Sequence, residues 1–251
     1  MTVYTIALSK GGSTKTTTAA EFVAALTRSG RRVLAIDLDH QGTLSARLGI
    51  DDETEDYGVA ADVLTGAEDA HTATPAPSVP GAHVLAGTYE LNTLESRPEV
   101  ITSLRDHLPQ VAGEWDDVVI DTPPAQGVVT LAALAAADVV VAAVACEAEA
   151  YDQVGRLAEL IEARIGPRLR PGQKVDWIIP TRYDARRLHD RDVLENLTEE
   201  NPGKITAPVR ETVTVKESYL AGQPVSVYAP DSPVAQDYAT ALAPILTTST
   251  N

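Results

Sequence analysis

Cysteine, aromatic residues and long apolar segments are scarce in this chain of 251 residues. Its one cysteine, Cys146, excludes a disulfide framework, a cysteine-rich zinc site and a single-chain iron–sulfur cage. The five histidines lack metal-ligand spacing, which argues against a catalytic zinc site. Aromatic residues make up 4% of the chain, so a platform of stacked rings for single-stranded nucleic acid is not expected.

Apolar runs long enough to cross a membrane are also missing. No uncharged apolar stretch reaches the roughly 18 residues that a membrane span needs. The first residues lack the basic-then-apolar order of a secretory signal. A hydrophobic content of 44% is nevertheless enough for a substantial core. We therefore expect a folded, reduced, cytoplasmic protein.

Positive charge is in deficit and unevenly placed. The net charge is −16, which excludes a general attraction to nucleic acid or to anionic membranes. Residues 156–216, however, hold 12 of the 20 Lys and Arg residues and 10 of the 36 acidic residues. This segment is either a local binding patch or a set of arginines that solvate helix surfaces.

Apolar strand patterns alternate with longer helical patterns. Strands are predicted at 3–8, 33–37, 82–86, 117–121, 139–144, 175–179 and, weakly, 205–207. Helices are predicted at about 16–29, 58–66, 98–112, 127–136, 150–166, 190–200, 215–221 and 233–246. Strands that are apolar throughout need helices on both faces of a parallel sheet. The prediction is a doubly wound α/β fold with a mostly parallel sheet: one domain over 1–246, a surface loop at 67–81 and a flexible tail at 247–251.

A glycine-rich segment, residues 9–17, joins the first strand to the first helix. A phosphate-binding loop needs inward-facing N–H groups, a helix N-terminus behind them and a lysine for the phosphate oxygens. Gly11 and Gly12 allow the close approach, Lys15 supplies the charge, and the Thr16 hydroxyl is placed to ligate Mg²⁺. The order of strand, loop and helix therefore favours a nucleoside triphosphate over a glycine turn without a ligand.

Carboxylates follow two of the predicted strands. Asp37 and Asp39 end the second strand, and Asp121 ends the strand at 117–121. Phosphoryl transfer depends on positioning and charge stabilisation, so carboxylates at strand ends suit it. The alternative for Asp37 and Asp39 is that they cap the following turn.

Three motifs together resemble the ParA/MinD family of ATPases, and most closely its ParA/Soj-type DNA partition proteins. Lys-Gly-Gly-Ser-Thr-Lys-Thr at 10–16 resembles the deviant Walker A motif, Asp-Leu-Asp-His-Gln at 37–41 the switch motif, and Asp-Thr-Pro-Pro at 121–124 the Walker B segment. The resemblance covers nearly the whole chain and implies a P-loop NTPase fold with ATP and Mg²⁺ as cofactors. It departs at Thr14, where the family usually has glycine, because a β-branched residue resists unusual backbone angles.

The resemblance also assigns roles to individual residues. Lys10 would act across a dimer, Lys15 on the phosphates, and Asp39 would orient the attacking water. The implied nucleotide contacts are Lys10, Gly11, Gly12, Ser13, Thr14, Lys15, Thr16, Thr17 and Pro208. The implied metal residues are Thr16, Asp37 and Asp121. The implied DNA contacts are Arg182, Arg186, Arg187, Arg210 and Lys216.

As a function, the resemblance implies a ParA-type partition ATPase. ATP would close a homodimer that binds DNA without sequence preference, and a ParB-type centromere-binding partner would stimulate hydrolysis. The protein would then be cytoplasmic and nucleoid-associated. A nucleoid-based cargo-positioning ATPase of the carboxysome type and a non-catalytic nucleotide-gated scaffold stay open. A MinD-like membrane ATPase is disfavoured, because no Lys or Arg follows Lys216 in the C-terminal segment, and no membrane partner is expected.

Overall fold

The sheet of this protein has seven strands in a computed structural model, which describes residues 1–8, 12, 14–51, 53–54 and 57–248. The strands are β1 Thr2–Ile6, β2 Val33–Asp37, β3 Thr74–Pro75, β4 Ala82–Leu85, β5 Asp117–Asp121, β6 Val139–Ala145 and β7 Trp177–Thr181. Their order is β3-β4-β2-β5-β1-β6-β7. Every neighbouring pair is parallel except β3 and β4. The predicted fold class is confirmed.

Helices cover the sheet on its two faces. They are α1 Lys15–Arg28, α2 Thr43–Arg47, α3 Ala60–Thr65, α4 Leu91–Leu94, α5 Ser103–His107, α6 Val128–Ala136, α7 Ala150–Leu160, α8 Leu188–Glu200, α9 Thr214–Leu220, α10 Val225–Tyr228 and α11 Pro233–Thr248. Short 3₁₀-helices occupy Ala70–Thr72, Pro98–Thr102 and Leu108–Val111, and a π-helical turn occupies Ile161–Ile165. No helix in the described ranges is long and apolar enough to cross a bilayer.

Burial of both sheet faces explains why the strands are apolar without alternation. In β2, Val33 and Ala35 pack against the layer that contains Phe22 of α1. Leu34 and Ile36, which point the other way, join the opposite core with α3 to α6. Since both faces of the central strands meet a helix layer, β2 has no polar face, as in other doubly wound sheets.

Several local predictions need correction. Residues 205–207 do not form a strand, because Ile205 makes only an isolated bridge to Ile178. The predicted loop at 67–81 contains β3, which pairs antiparallel with β4. The sequence does not predict the helices α2, α4 and α10, since four or five residues show too little periodicity. Helix α11 continues through the first two residues of the predicted tail at 247–251.

The carboxyl ends of three central strands meet at one edge of the sheet. Asp37 of β2 lies in register with Asp121 of β5, and Asp121 lies in register with Ile6 of β1. The chain leaves β1 for β2 on one side, while β6 lies on its other side, so β1 marks a switch point in strand order. Ligands of open α/β sheets bind outside the carboxyl ends at such a point.

Glu21 of α1 is an ionisable group inside the core. Its side chain is 1% exposed, and both carboxylate oxygens accept from the Ser226 backbone N–H at 3.3 Å. Burial raises the pKa of Glu21, and hydrogen bonds from Ser226 oppose the rise. The folded state therefore holds this proton to higher pH than the unfolded chain does, and stability falls as the pH rises above the ordinary glutamate value.

Glu21→Gln should remove this loss. We expect the free energy of unfolding of Glu21→Gln, relative to that of the parent, to increase between pH 5 and pH 8, because the amide has no charge to bury. Urea unfolding at both pH values measures this, with the exposed Glu159→Gln as the matched control. A difference that stays flat or falls with pH would contradict the assignment.

Candidate nucleotide site

The segment between β1 and α1 brings a helix N-terminus to the carboxyl edge of the sheet. Helix α1 begins at Lys15. Before it, Gly12 and Thr14 have φ angles of +73° and +68°. Three of the predicted nucleotide contacts, Lys10, Gly11 and Ser13, lie outside the described residues. Free N–H groups and the dipole at such a helix start favour an anion.

Thr14, which stands where the family usually has glycine, adopts a left-handed backbone conformation. Its hydroxyl donates to the Thr181 hydroxyl at 2.7 Å, and Thr181 donates to the Val144 carbonyl at 3.0 Å. Left-handed backbone costs a β-branched residue about 1–2 kcal/mol, whereas a hydrogen bond contributes about 0.5–1.5 kcal/mol. The side chain thus offsets part of the cost by tying the loop to β6 and β7.

Lys15 lies in the buried part of the site. It is 6% exposed, and burial lowers its pKa, while Asp121 and Asp39 act in the opposite direction. The next two predicted contacts, Thr16 and Thr17, are half-buried and buried. Lys15 therefore stands beside carboxylates, close to the helix start that would receive a phosphate.

Asp121 is a fully buried carboxylate without a conventional partner. Neither oxygen has a hydrogen bond of ordinary geometry to any described residue, although the Thr16 hydroxyl is near enough to oppose the rise in pKa. Burial is the largest cause of that raised pKa, and Asp37 adds to it. An orphaned buried carboxylate beside a hydroxyl is a donor set that fits a hard divalent cation such as Mg²⁺. The residues present therefore fit the predicted metal.

Asp37 is already engaged by the protein. Its Oδ2 accepts from the Ser45 N–H and hydroxyl, each at 2.8 Å, and its Oδ1 accepts from the Asp39 N–H at 3.1 Å. Burial raises its pKa, and these bonds oppose the rise. Asp37 thus holds the start of α2, as the capping alternative predicted, and its place near the metal stays a prediction. Ser45 was missed because it lies eight residues farther along the chain.

Asp39 sits on a tight turn at the mouth of the site. Its Oδ1 accepts from the Gln41 N–H at 3.0 Å and lies 3.5 Å from His40 Nδ1. Gly87 packs beneath this turn, where a Cβ would lie 2.3 Å from the Asp39 carbonyl oxygen and 2.9 Å from Asp37 Cγ. Residue 87 must therefore be glycine, a constraint that no local sequence pattern signals.

A cavity of about 320 Å³ adjoins Thr14. Its lining includes the apolar Val209 and Val215 and the hydroxyls of Thr181 and Thr212. Charged side chains also line it, namely Glu211 and three of the predicted DNA contacts, Arg182, Arg210 and Lys216. The volume and mixed lining suit a heterocyclic base beside the phosphate loop. Pro208 lines a neighbouring cavity while its successor Val209 lines this one, and the nucleotide contact of Pro208 stays a prediction.

Arginines predicted to contact DNA are mostly ion-paired within the chain. Arg182, in left-handed conformation with φ +54°, pairs with Glu147 at 2.9 Å and with Glu211 at 3.0 Å. Arg210 pairs with Asp237, its Nη2 donating at 2.9 Å. These arginines are therefore paired with carboxylates of the same chain. We call the surface that carries Arg182, Arg186, Arg187 and Arg210 the arginine side.

Arg186 and Arg187 share one carboxylate in the approach to α8. Arg186 donates to Asp184 at 2.8 Å with 89% of its side chain exposed, and Arg187 lies 3.7 Å from the same carboxylate. The two arginines lower the pKa of Asp184. Lys216 on α9 is exposed. Of the predicted DNA contacts, Arg186 is the arginine whose head is most open to an external anion.

Several known proteins are similar to this chain in sequence and in fold. The AAA domain family (AAA_31) matches residues 1–169. The chain is 33% identical to the chromosome partitioning protein ParA of Caulobacter vibrioides, covering 90% of this chain and 86% of that protein. It is 36% identical to the chromosome-partitioning ATPase Soj of Thermus thermophilus, covering 93% and 90%.

The chain belongs to the ParA/MinD family of ATPases. A solved structure of the cobyrinic acid a,c-diamide synthase from Mycobacterium smegmatis holds an ATP analogue and magnesium, and it is 33% identical with a TM-score of 0.75. The match covers 88% of this chain and 91% of that one. The nucleotide and metal predicted for the ParA/MinD site are the same in kind as those in this relative.

Thr14→Gly tests the balance between backbone cost and side-chain contact. We expect a free energy of unfolding within about 1 kcal/mol of the parent, because relief of the left-handed residue offsets the lost hydrogen bond. Thr181→Val loses hydrogen bonds without that relief and should be the less stable of the two in urea unfolding. Equal destabilisation by both substitutions would show that the left-handed backbone costs nothing here.

Proposed function

We propose that this chain is a ParA-type partition ATPase that binds and hydrolyses Mg²⁺–ATP. The observation that carries the proposal is Asp121, buried and orphaned beside Lys15 and Thr16 at the carboxyl edge of the sheet. Such a cluster is left with unbalanced buried charge until a cation and a polyphosphate complete it. The family membership and the magnesium-bound relative support the same ligand pair.

In the proposed reaction, each side chain has one task. Lys15 would hold phosphate oxygens, and Thr16 and Asp121 would hold Mg²⁺, which when bound would supply charge stabilisation. Asp39 orients a water whose oxygen forms the new bond to the γ-phosphorus as the bond to the bridging oxygen breaks. The products are ADP and inorganic phosphate. The cavity beside Thr14 receives the base.

DNA binding and dimerisation form the second part of the proposal. The arginine side of one subunit is close to charge balance, so one copy has little long-range attraction for DNA. ATP would join two such surfaces, with Lys10 reaching the partner subunit's phosphates. Two patches on one duplex raise the number of phosphate contacts and make the second contact intramolecular. A ParB-type partner would stimulate hydrolysis and release the DNA, in a nucleoid-associated cytoplasmic cycle.

ATPase and DNA-shift assays with and without the product of the neighbouring gene test this function. Stimulated hydrolysis together with ATP-dependent, sequence-independent DNA binding would support a partition ATPase. Nucleotide binding without hydrolysis would support the scaffold alternative instead.

Asp39→Ala and Lys15→Ala should separate chemistry from binding. Asp39→Ala should bind ATP with parental affinity but hydrolyse it at least about 100-fold more slowly, because the water loses its positioning group. Lys15→Ala should lose ATP affinity, since a triphosphate lacks its main point charge. Calorimetry and phosphate release measure the two effects. Unchanged partner-stimulated turnover in Asp39→Ala would remove that residue from the mechanism.

Arg186→Glu with Arg187→Glu should abolish DNA binding and leave the ATP-dependent dimer intact. Asp184→Asn is the opposite variant, because it frees both arginines from their shared carboxylate and should strengthen binding. Fluorescence anisotropy over a salt series measures both, and light scattering follows the dimer. If neither variant changes the affinity or the salt dependence, these arginines serve only to solvate the surface.

A further inference from the structure

Arg47 is a buried cation with unsatisfied hydrogen-bond donors. It is the last residue of α2 and is 7% exposed. Its Nε and Nη1 have no hydrogen-bond partner among the described residues. Burial lowers its pKa, and the charges that oppose this fall include Glu21 and Asp121. Unpaired buried charge costs stability, and apolar replacements of buried charged groups are often neutral or stabilising. The stability of the fold therefore gives no reason for an arginine at this position.

The guanidinium of Arg47 contacts an aromatic ring on α9. Its central carbon lies 5.0 Å from the centroid of the Tyr219 ring. This separation is within the roughly 6 Å over which a cation is attracted to an aromatic face, and loss of water strengthens the attraction. The turn after α9 also packs on α2, because a Cβ on Gly222 would lie 3.3 Å from the Ala46 carbonyl oxygen. The two helices therefore stay in contact if the Arg47–Tyr219 pair is removed.

Helix α9 leads from Tyr219 to the cavity beside Thr14. Val215 and Lys216, in the first half of α9, line that cavity. Tyr219 follows Val215 by four residues, so the two side chains lie on the same side of the helix. A helix moves as one body over so short a distance. A base that enters the cavity therefore contacts the same helix that carries the ring over Arg47.

Helix α2 leads from Arg47 to the turn that holds Asp39. Ser45 donates its hydroxyl to Asp37 Oδ2 at 2.8 Å and accepts from the Gly87 N–H at 3.1 Å. Asp37 in turn accepts from the Asp39 N–H at 3.1 Å. We call residues 39–42 the switch turn. Because α2 has only five residues, its orientation depends on what its side chains contact rather than on its own stability.

We propose that Arg47 and Tyr219 are a pair of positioning residues that orients α2, and with it Asp39, when a base occupies the cavity lined by α9. Neither residue touches the reacting atoms. A displacement of α9 reaches the switch turn through the ring, the guanidinium and Ser45. Hydrolysis is thereby linked to occupation of the base cavity. The inference rests on the proposed function in one respect, namely that Asp39 orients the attacking water.

Steady-state hydrolysis of Mg²⁺–ATP by variants of the full chain tests the pair. Arg47→Met and Tyr219→Leu should each lower kcat at least about tenfold with KM within about threefold of the parent, because the water loses its alignment while binding is kept. Arg47→Met should nevertheless be no less stable than the parent in urea unfolding, since it removes an unpaired buried charge. Tyr219→Phe keeps the ring and should keep kcat within about twofold. The double variant should be no slower than the slower single variant, because both lose the same contact.

Matched controls separate positioning from a general loss of stability. Tyr228→Leu removes a tyrosine on α10 that is 43% exposed, close to the 41% of Tyr219. Arg170→Met removes an arginine that pairs with Asp138 just before β6, at the amino ends of the strands. Both controls should keep the parental kcat, whatever their stability. A parental kcat in Arg47→Met, an equal loss of kcat in the controls, or a double variant that multiplies the two single losses would overturn the inference.

Hydrogen exchange distinguishes this inference from the proposed function. In the parent, saturating Mg²⁺–ADP should protect residues 39–46 more than Mg²⁺–pyrophosphate, which has no base. In Arg47→Met the two ligands should protect this segment equally. Equal protection by both ligands in the parent would overturn the inference. If the parent shows the difference but does not hydrolyse ATP, the proposed function fails and the link from the base cavity to the switch turn stands. If Arg47→Met hydrolyses ATP as the parent does, the proposed function stands and the inference fails.

Discussion

Buried charge at the carboxyl edge of the sheet is the constraint on which the rest of this molecule depends. Parallel pairing of β2, β5 and β1 brings Asp37 and Asp121 into register, and the start of α1 places Lys15 beside them. Two carboxylates so close together in a low-dielectric site cannot both ionise without a compensating cation. The protein satisfies Asp37 with Ser45, whereas neither oxygen of Asp121 has a hydrogen-bond partner among the described residues, and this is the carboxylate to which we assign the metal in our proposal.

The carboxylate of Asp37 also connects the nucleotide site to the helix beside it. Asp37 accepts hydrogen bonds from Ser45, which lies in the short helix α2. The last residue of α2, Arg47, places its guanidinium carbon 5.0 Å from the centroid of the Tyr219 ring on α9. Gly87 keeps the switch turn close to the sheet, because no side chain fits beneath the Asp39 carbonyl. Asp37, Ser45 and Arg47 therefore link the nucleotide site to α9 through α2.

On the arginine side, the charge count of the sequence suggests a DNA-binding patch, whereas the structure shows ion pairs that oppose such binding. The segment 156–216 is less acidic than the rest of the chain, yet Arg182 and Arg210 are held by carboxylates that come from distant positions. Such pairs on the surface contribute little to stability, but they lower the field that an approaching polyanion meets. Any DNA affinity must then come from exchanging internal carboxylates for phosphates at short range, which favours a state in which several arginines act together.

Local patterns were enough to predict the α/β class and the acidic ends of two strands, which the structure confirms, and the same kind of pattern predicts the phosphate loop. Apolar runs, glycines before a lysine and an aspartate after a strand are visible within a few residues. The sequence also singled out Thr14 as a departure, and the left-handed backbone there agrees. Other features become visible only in the folded chain. Ser45 engages Asp37, residue 87 has no room for a side chain, Val209 lines the cavity beside Thr14, and Arg182 and Arg210 meet carboxylates. These contacts join separate elements, and their distances depend on strand order and helix packing, which no local pattern encodes.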